Sequence, residues 1–396
     1  MKIASKVGRI EPSVTLEISA KAKAMKSEGK DVVAFTAGEP DFNTPEYIIK
    51  AAEDALRSGK TKYTPTAGIP ELKKAIVEKL KRENGLDYAP ENIVVSSGAK
   101  SSLYHAFCAI LDEGDEVVIP TPYWITYVEQ VRLAGGVCKI VETDEKSGYK
   151  LTSEQFERAI TPKTRCVLIN SPCNPTGVVY TKDELLAIAQ VAEKHGVAII
   201  SDEVYEKLVF DGEEHVSIAS LTSYAKENTI VINGVSKTYS MTGWRIGYMA
   251  CPKEVAKAVS AMQGHTTSNA CSFAQYASAV AISGGDEFIV DMVKEFDSRR
   301  KLLYQGLMQI DGVKVVYPKG AFYVFADVSA FFGKSYQGKK ITGSVSFADL
   351  LLGKGVAVIP GLAFGDDKCV RLAYTVSSAD ILKGIEGIKS FISELN

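Results

Sequence analysis

The sequence lacks the features that mark membrane, secreted and nucleic-acid-binding proteins. Its 396 residues contain no apolar run approaching the ~18 residues of a membrane span, and charges interrupt the N-terminal stretch before an apolar region builds up. A net charge of -2 gives no basic field that would attract nucleic acid or anionic lipid. We therefore expect a cytoplasmic protein that binds neither nucleic acid nor membranes.

Cysteine and histidine are few and poorly spaced for a metal centre. The seven cysteines are an odd number spread along the chain, the four histidines lie far apart, and neither C-x-x-C nor H-E-x-x-H occurs. Such cysteines are typical of reduced, small hydrophobic residues inside a cytoplasmic protein. The sequence therefore predicts no bound metal.

The residues that are abundant favour a large mixed fold. With 46% hydrophobic and 24% charged residues, the chain can bury an extensive core and exceeds the size of one ordinary domain. Short apolar runs alternate with helical patterns, which is typical of a mostly parallel sheet covered by helices. The seven predicted strands are 92–97, 116–120, 136–141, 165–170, 197–201, 229–232 and 247–250.

A second, smaller unit is expected towards the C-terminus. Apolar residues at helical spacing from about 286 to 308 predict one long helix that could bridge two domains. The strands expected after it are 313–316, 321–325, 356–359 and 370–373. The sequence thus predicts an α/β fold, with a large domain over 41–290 and a small α+β domain formed by 1–40 and 291–396.

Lys237 has an unusual setting, because a predicted buried strand precedes it and Arg245 follows it. The lysine would lie in a loop at the carboxyl end of a strand, where open α/β sheets bind ligands. In a partly dry site the charged form of a lysine is disfavoured, so its amine can attack an aldehyde. Arg245 offers a planar guanidinium for a phosphate. Taken alone, the stretch also fits a solvated surface loop.

Polar residues follow other predicted strands at the same edge of the sheet. Small residues around Ala99 open a helix whose free N–H groups would favour a phosphate, although a plain helix start fits equally well. Asn174 lies in a proline-fixed loop and could donate a hydrogen bond or simply form a turn. Asp202 and Tyr205 follow another strand, although Asp202 also fits a helix N-cap. Their coincidence at one edge indicates a ligand site.

Six motifs stand in a fixed order along nearly the whole chain. They are Thr36-Ala-Gly-Glu-Pro-Asp-Phe42, Tyr63-Thr-Pro-Thr-Ala-Gly68, Ser171-Pro-Cys-Asn-Pro-Thr-Gly177, Ser201-Asp-Glu-Val-Tyr205, Ser236-Lys237 with Arg245, and Val370-Arg371-Leu. Together they resemble the motifs of fold type I, class I pyridoxal-phosphate aminotransferases. The resemblance is nearest to the bacterial aspartate aminotransferase branch that carries Ala-Gly-Glu-Pro-Asp-Phe.

The resemblance implies pyridoxal 5'-phosphate as cofactor and assigns roles around its ring. Lys237 would hold the cofactor aldehyde covalently, then move a proton as general base and acid. Asp202 would keep the pyridine nitrogen protonated. Asn174 and Tyr205 would hydrogen-bond the phenolic oxygen of the ring, and Trp124 would stack on its face.

The resemblance also implies a phosphate site that two chains complete. The phosphate ligands within one chain would be Ala99, Lys100, Ser236 and Arg245. Tyr63 would reach the same phosphate from the neighbouring subunit, which makes a homodimer part of the site.

On the substrate side, the resemblance implies an amino-acid and 2-oxo-acid site. Arg371 would hold the α-carboxylate in a two-pronged pair, helped by the Gly38 backbone, with Trp124 and Asn174 beside it. The implied reaction moves an amino group between L-aspartate and 2-oxoglutarate by a ping-pong route. A broad-range, aromatic or prephenate aminotransferase and a pyridoxal-phosphate lyase remain alternatives. An effector-sensing domain of a transcription regulator is a further alternative, disfavoured because few residues precede Gly38.

Two positions depart from the pattern of the relatives. In prephenate-active relatives a lysine precedes the Pro-Ser of the N-terminal arm, whereas here Glu11 does. A negative charge at that point would repel a second substrate carboxylate. We therefore expect aspartate and glutamate to react well and prephenate poorly. Cys173, where asparagine is frequent, is expected to have no effect.

Overall fold

The computed structural model of the protein describes residues 1, 3–8, 10 and 14–396, so the expectation for Glu11 lies outside the described residues. The helices are α1 (Ser5–Gly8), α2 (Val14–Ser27), α3 (Glu46–Arg57), α4 (Pro70–Asn84), α5 (Ala99–Ile110), α6 (Thr126–Leu133), α7 (Ser153–Ala159), α8 (Lys182–His195), α9 (Ser223–Asn228), α10 (Lys253–Thr266), α11 (Ser272–Ser283), α12 (Glu287–Met308), α13 (Ser344–Gly353) and α14 (Ser378–Ser393). The strands are β1 (Val33–Ala34), β2 (Ile93–Ser96), β3 (Glu116–Pro120), β4 (Val137–Val141), β5 (Thr164–Asn170), β6 (Ala198–Asp202), β7 (Thr229–Gly234), β8 (Gly247–Ala250), β9 (Lys314–Val315), β10 (Tyr323–Asp327), β11 (Ser335–Tyr336), β12 (Lys339–Lys340), β13 (Val356–Ala357), β14 (Ile359–Pro360) and β15 (Cys369–Ala373).

A seven-stranded sheet organises the larger part of the chain, with strand order β2-β8-β7-β6-β5-β3-β4. Strands β3 to β7 run parallel, and β8 is antiparallel to both of its neighbours. The predicted α/β fold with a mostly parallel seven-stranded sheet is therefore confirmed. Each of its strands lies within two residues of the predicted range.

The inner strands of the sheet are buried on both faces, because alternate residues point to opposite sides and helices cover both sides, whereas the edge strand β4 is largely exposed. Val95 and Val231 pack in a core with α4 and α11, whereas Val94 and Ile232 pack in a core with α5. Both kinds of position are apolar, so these strands appear in the sequence as continuous hydrophobic runs rather than as alternating ones.

Helix ends are specified by local chemistry, as α8 illustrates. The Thr181 side chain accepts a hydrogen bond from the Glu184 backbone, and the Glu184 carboxylate accepts one from the Thr181 backbone. This reciprocal pair satisfies two N–H groups at the start of the helix. Gly196, at φ 66°, ends α8 in a left-handed conformation that a residue with a Cβ rarely adopts.

A second sheet, in the order β14-β15-β10-β9, is antiparallel and packs against the long helix α12. That helix spans Glu287–Met308, as its apolar spacing predicts. The single strand expected at 356–359 is divided in two. Val356 and Ala357 pair in parallel with β1, whereas Ile359 and Pro360 pair with β15, because the chain crosses from one neighbour to the other at Val358.

The carboxyl ends of β5, β6 and β7 meet at one edge of the large sheet. Asn170 is paired with Asp202, and Asp202 with Ile232, so the loops that follow these strands begin side by side. This is the edge at which open α/β sheets bind ligands. Within the described residues, no helix is long and apolar enough to cross a membrane.

Candidate active site

A cavity of about 290 Å³ lies at this edge. Every residue that the sequence analysis assigned to the site lines it, with the exception of Tyr63. The predicted residues in its wall are Gly38, Ala99, Lys100, Trp124, Asn174, Asp202, Tyr205, Ser236, Lys237, Arg245 and Arg371.

Lys237 lies three residues beyond the end of β7 and projects into the cavity. Its Nζ donates a hydrogen bond to the carbonyl oxygen of Gly38 at 2.6 Å. Burial lowers the pKa of Lys237 from 10.5 to about 8; Arg245 and Arg371 act in the same direction, and Glu39 opposes them. A substantial share of this amine is therefore neutral near physiological pH.

Asp202 is a buried carboxylate at the end of β6. Tyr127 donates a hydrogen bond to its Oδ2 at 2.8 Å, and the Val204 N–H donates to its Oδ1 at 3.3 Å. Burial raises the pKa of Asp202 from 3.8 to about 6, although the Tyr127 hydrogen bond opposes the shift. A buried carboxylate with such a pKa is suited to pair with a cationic ring nitrogen, which would compensate for its lost solvation.

Arg371 is held in a fixed orientation on β15. Its Nη1 donates to Asn174 Oδ1 at 3.1 Å, and its Nη2 donates to the Thr36 carbonyl at 3.0 Å. The guanidinium is buried, and its Nε has no hydrogen-bond partner. With the Asn174 oxygen thus engaged, the Asn174 NH₂ is the group left to donate to a ligand.

The opposite end of the cavity is the N-terminus of α5. Gly98 has φ 89°, and a Cβ on it would lie 2.4 Å from the Arg245 Nη2, so the guanidinium packs directly on the start of the helix. Gly247 faces the same point from β8, where a Cβ would lie 2.0 Å from the Ala99 nitrogen. Free helix N–H groups and a guanidinium together make an anion site.

Lys100 and Trp124 form one wall between these two ends. The Lys100 Nζ lies 4.7 Å from the centre of the Trp124 ring. Burial and the neighbouring Arg245 lower the pKa of Lys100. The Trp124 ring in turn meets Tyr127 edge-on, with the ring centres 5.5 Å apart.

Tyr63 is the predicted site residue that its own chain does not bring to the cavity. Its relative exposure is 91%, so the side chain makes little contact with its own chain. The Ser272 hydroxyl donates to the Lys60 carbonyl at 2.7 Å and anchors the same loop to α11. The tyrosine is thus presented outward on a supported loop.

Comparison with known proteins places this cavity in a family. The family described as "Aminotransferase class I and II" matches residues 30–388. The chain belongs to the class I and II aminotransferases. The resemblance inferred from the six motifs is confirmed.

The similarity of this aminotransferase to its relatives extends over its full length. It is 48% identical over 392 residues to an aspartate aminotransferase of Geobacillus stearothermophilus, with 99% of each chain covered. It is 46% identical to a probable aspartate/prephenate aminotransferase of Aquifex aeolicus, again with 99% of each covered. The solved aspartate aminotransferase of Rhizobium meliloti superposes with a TM-score of 0.97 at 44% identity over 100% of both chains.

The aminotransferase cavity also contains residues that the sequence analysis missed. The tyrosines among them are Tyr127 and Tyr323, and the others are Thr15, Val204, Gly234 and Thr242. Tyr127 could have been suspected, because it stands one helical turn after Trp124. Tyr323 stands inside an apolar strand run and is typical there of a core residue.

A buried ionic cluster lies behind the aminotransferase site and was also missed. Glu206 accepts hydrogen bonds from Lys79, from Asn84 at 2.9 Å and from Asn233 at 2.8 Å. Burial alone would raise the pKa of Glu206, but Lys79 and His215 hold it at about 2. Glu203, Glu206 and His215 also bring possible metal-ligand atoms within 4.8 Å of one another, but the Lys79 ammonium already contacts the Glu206 carboxylate.

Proposed function

We propose that this enzyme is a pyridoxal-phosphate-dependent aspartate aminotransferase, which moves an amino group between L-aspartate and 2-oxoglutarate by a ping-pong route. The observation that carries the proposal is the pairing, in one cavity, of a lysine with a lowered pKa and a buried carboxylate with a raised one. Aspartate as amino donor is supported by the names of the full-length relatives.

The residues present fit pyridoxal 5'-phosphate. A phosphate matches the anion site of Ala99 and Arg245, with Ser236 and Lys100 beside it. Asp202 would hold the pyridine nitrogen, since its burial is tolerable only with a cationic partner or a proton. When bound, the cofactor supplies an aldehyde that reacts with amines and a ring that takes up electrons from the substrate.

Trp124, Asn174 and Tyr205 would fix the ring between these two ends. The Trp124 indole forms a wall that suits a flat aromatic ring. The free NH₂ of Asn174 and the hydroxyl of Tyr205 supply two donors for the phenolic oxygen of the ring. The ring is thereby oriented relative to Lys237.

Lys237 would attach the cofactor and then carry the proton of the reaction. Its neutral Nζ is the nucleophile, and burial provides that form without strongly alkaline pH. Once the substrate amine has displaced it, the same Nζ can accept a proton from the substrate Cα and return it. Both tasks need an amine whose pKa lies close to the working pH.

Arg371 would hold the α-carboxylate, with the Gly38 backbone opposite. The Nη1 and Nη2 contacts keep the guanidinium plane fixed, while the unpartnered, buried Nε shows that the donor set is incomplete. A substrate carboxylate would complete it by charge-assisted hydrogen bonds. A fixed carboxylate also fixes the direction of the Cα–H bond.

We further propose a homodimer in which Tyr63 enters the partner's site. The support is its outward presentation on a loop that is anchored to α11. The division into a large domain of 41–290 and a small domain of 1–40 and 291–396 is part of the same proposal. The parallel pairing of β1 with β13 supports joining the two ends of the chain.

Prephenate is a second candidate for the amino acceptor, because some full-length relatives are named for both aspartate and prephenate. The prediction from Glu11 is that prephenate reacts poorly. Steady-state rates with prephenate and with aspartate, in wild type and in Glu11→Lys, test it. An unchanged ratio of the two rates removes Glu11 from the argument, and fast turnover of prephenate by the wild type removes charge repulsion altogether.

An amino-donor panel tests the proposed function. Purified enzyme with its bound cofactor is mixed with single amino acids, and loss of the visible cofactor absorbance is followed by stopped flow. L-Aspartate and L-glutamate should react fastest, with D-aspartate as the matched inactive control. Faster reaction with aromatic amino acids would replace aspartate by a broad-range assignment, and release of ammonia instead of amino transfer would indicate a lyase.

A further inference from the structure

Tyr323 contacts three of the groups to which the proposed function assigns roles, yet has none itself. Its hydroxyl lies 2.9 Å from the Tyr205 hydroxyl, and its ring centre lies 4.5 Å from the Arg371 guanidinium carbon. A Cβ on Gly38 would lie 3.2 Å from the same hydroxyl. The side chain is 1% exposed and lines the cavity.

The position follows from the pairing of β10 with β15. Tyr323 pairs with Ala373, and Phe325 pairs with Arg371, so Tyr323 and Arg371 are diagonal neighbours on one face of the sheet. At that spacing an aromatic ring and a long side chain reach each other. The contact is therefore part of the sheet geometry and does not depend on a mobile loop.

The hydroxyl pair has a definite direction once a ligand is bound. Each phenol has one proton to donate. Burial raises the pKa of both Tyr205 and Tyr323, so both keep that proton at neutral pH. If Tyr205 donates its proton to the phenolic oxygen of the cofactor, its own oxygen must accept from Tyr323. In such a chain, the hydrogen bond from Tyr323 to Tyr205 strengthens the hydrogen bond that Tyr205 donates to the cofactor oxygen.

The ring has a separate effect on Arg371. A guanidinium over an aromatic face is attracted to it, most strongly when both are buried. Arg371 also has Phe364 at 5.1 Å, and its pKa is lowered by burial. The ring of Tyr323 thus limits how far the guanidinium can tilt away from the cavity.

We propose that Tyr323 is a positioning residue with two separable functions: its hydroxyl aligns Tyr205 toward the cofactor, and its ring aligns Arg371 toward the substrate carboxylate. This inference rests on the proposed function. It links the cofactor side and the carboxylate side of the site through one side chain.

Two substitutions separate the two functions. Tyr323→Phe keeps the ring and removes the hydroxyl, whereas Tyr323→Leu removes both. Tyr336→Phe is the matched control, because Tyr336 is also buried, at 7% exposure, in the same part of the fold, and its ring contacts Phe391 rather than the site. All are measured as holoenzymes, with melting temperatures recorded.

For Tyr323→Phe we expect a half-reaction with aspartate about tenfold slower. The apparent pKa of the cofactor absorbance should rise, because the phenolic oxygen loses hydrogen-bond support. The dissociation constant for succinate, an unreactive dicarboxylate, should change by less than about twofold. In Tyr323→Leu that constant should also rise about tenfold. If the leucine chain does not fold, Tyr323→Met repeats this comparison.

Two results would overturn the inference. One is a Tyr323→Phe enzyme with the absorbance titration and half-reaction of the wild type. The other is identical succinate binding in the phenylalanine and leucine or methionine variants. A wild-type enzyme that shows no cofactor absorbance would instead refute the proposed function, so the two failures are distinguishable.

Discussion

The Lys237 Nζ and the Gly38 carbonyl oxygen are joined by a hydrogen bond of 2.6 Å across 199 residues of sequence. The contact connects the loop after β7 with the N-terminal segment that follows β1. If Lys237 attaches the cofactor covalently, as proposed, this donor would be withdrawn from the Gly38 carbonyl oxygen. The Gly38 carbonyl oxygen would then be free to accept another hydrogen bond, whereas the Gly38 N–H is the backbone group that can donate to a substrate carboxylate.

Lys237→Ala should bind cofactor without covalent attachment and lose turnover by several orders of magnitude, because nucleophile and proton carrier vanish together. Visible absorbance and half-reaction rate measure the two effects. Lys253→Ala, on the exposed start of α10, is the control and should behave as wild type. Wild-type absorbance and rate in Lys237→Ala would refute the assignment.

Attachment of cofactor to the apoenzyme should accelerate with pH up to about 8 and then level off. The direction follows from the lowered pKa of Lys237, about 8: below it most of the amine is protonated and unreactive, and above it the neutral form dominates. N-acetyl-lysine methyl amide, with an ordinary lysine pKa, should keep accelerating to about pH 10. A protein profile that also rises to pH 10 would show that Lys237 is not desolvated.

Arg371→Ala should weaken binding of amino acids and slow the first turnover, because the carboxylate loses both its charge partner and its orientation. Arg371→Lys should recover only part, since a point charge cannot reproduce the two-pronged pair. Single-turnover kinetics at several aspartate concentrations separate binding from rate. Two variants indistinguishable from wild type would remove Arg371 from the substrate site.

A mixed dimer of Tyr63→Phe and Lys237→Ala chains should regain one intact site. This follows only if the Tyr63 loop of one chain completes the cavity of the other. Differently tagged chains allow the mixed dimer to be isolated, and its rate is compared with those of both homodimers. A fully active monomer in sedimentation would contradict the shared site.

Glu206→Gln should cost about 3–5 kcal/mol of unfolding free energy, because it removes the nearer of the two carboxylates that pair with the buried Lys79 ammonium and leaves only Glu83, at 3.8 Å. The matched control is Glu78→Gln on α4, the helix that carries Lys79; its ion pair with Lys74 is exposed and worth at most about 1 kcal/mol. Urea denaturation at pH 7 measures both. Equal losses of unfolding free energy in the two variants would show that the ionic cluster behind the site is solvated.

The sequence predicted the elements and groups whose signals are local. Strands such as β5 and β6 are continuous apolar runs, and Asp202 follows one directly, so their edge could be found without coordinates. Contacts between residues that lie far apart in the sequence could not be predicted in this way. Tyr127 reaches Asp202 across 75 residues, and Tyr323 reaches Tyr205 across 118 residues. Only the tertiary packing of α6 and β10 shows which groups these two tyrosines contact.

The anion site depends on Gly247 because this residue has no Cβ. It holds no ligand, yet any side chain there would meet the backbone of Gly98 and Ala99 and push the start of α5 away from the sheet. In a saturation mutagenesis experiment, position 247 would thus tolerate as little as Lys237, and for a purely steric cause. Its variants would lose cofactor affinity first, so added pyridoxal phosphate should rescue them where it cannot rescue Lys237→Ala.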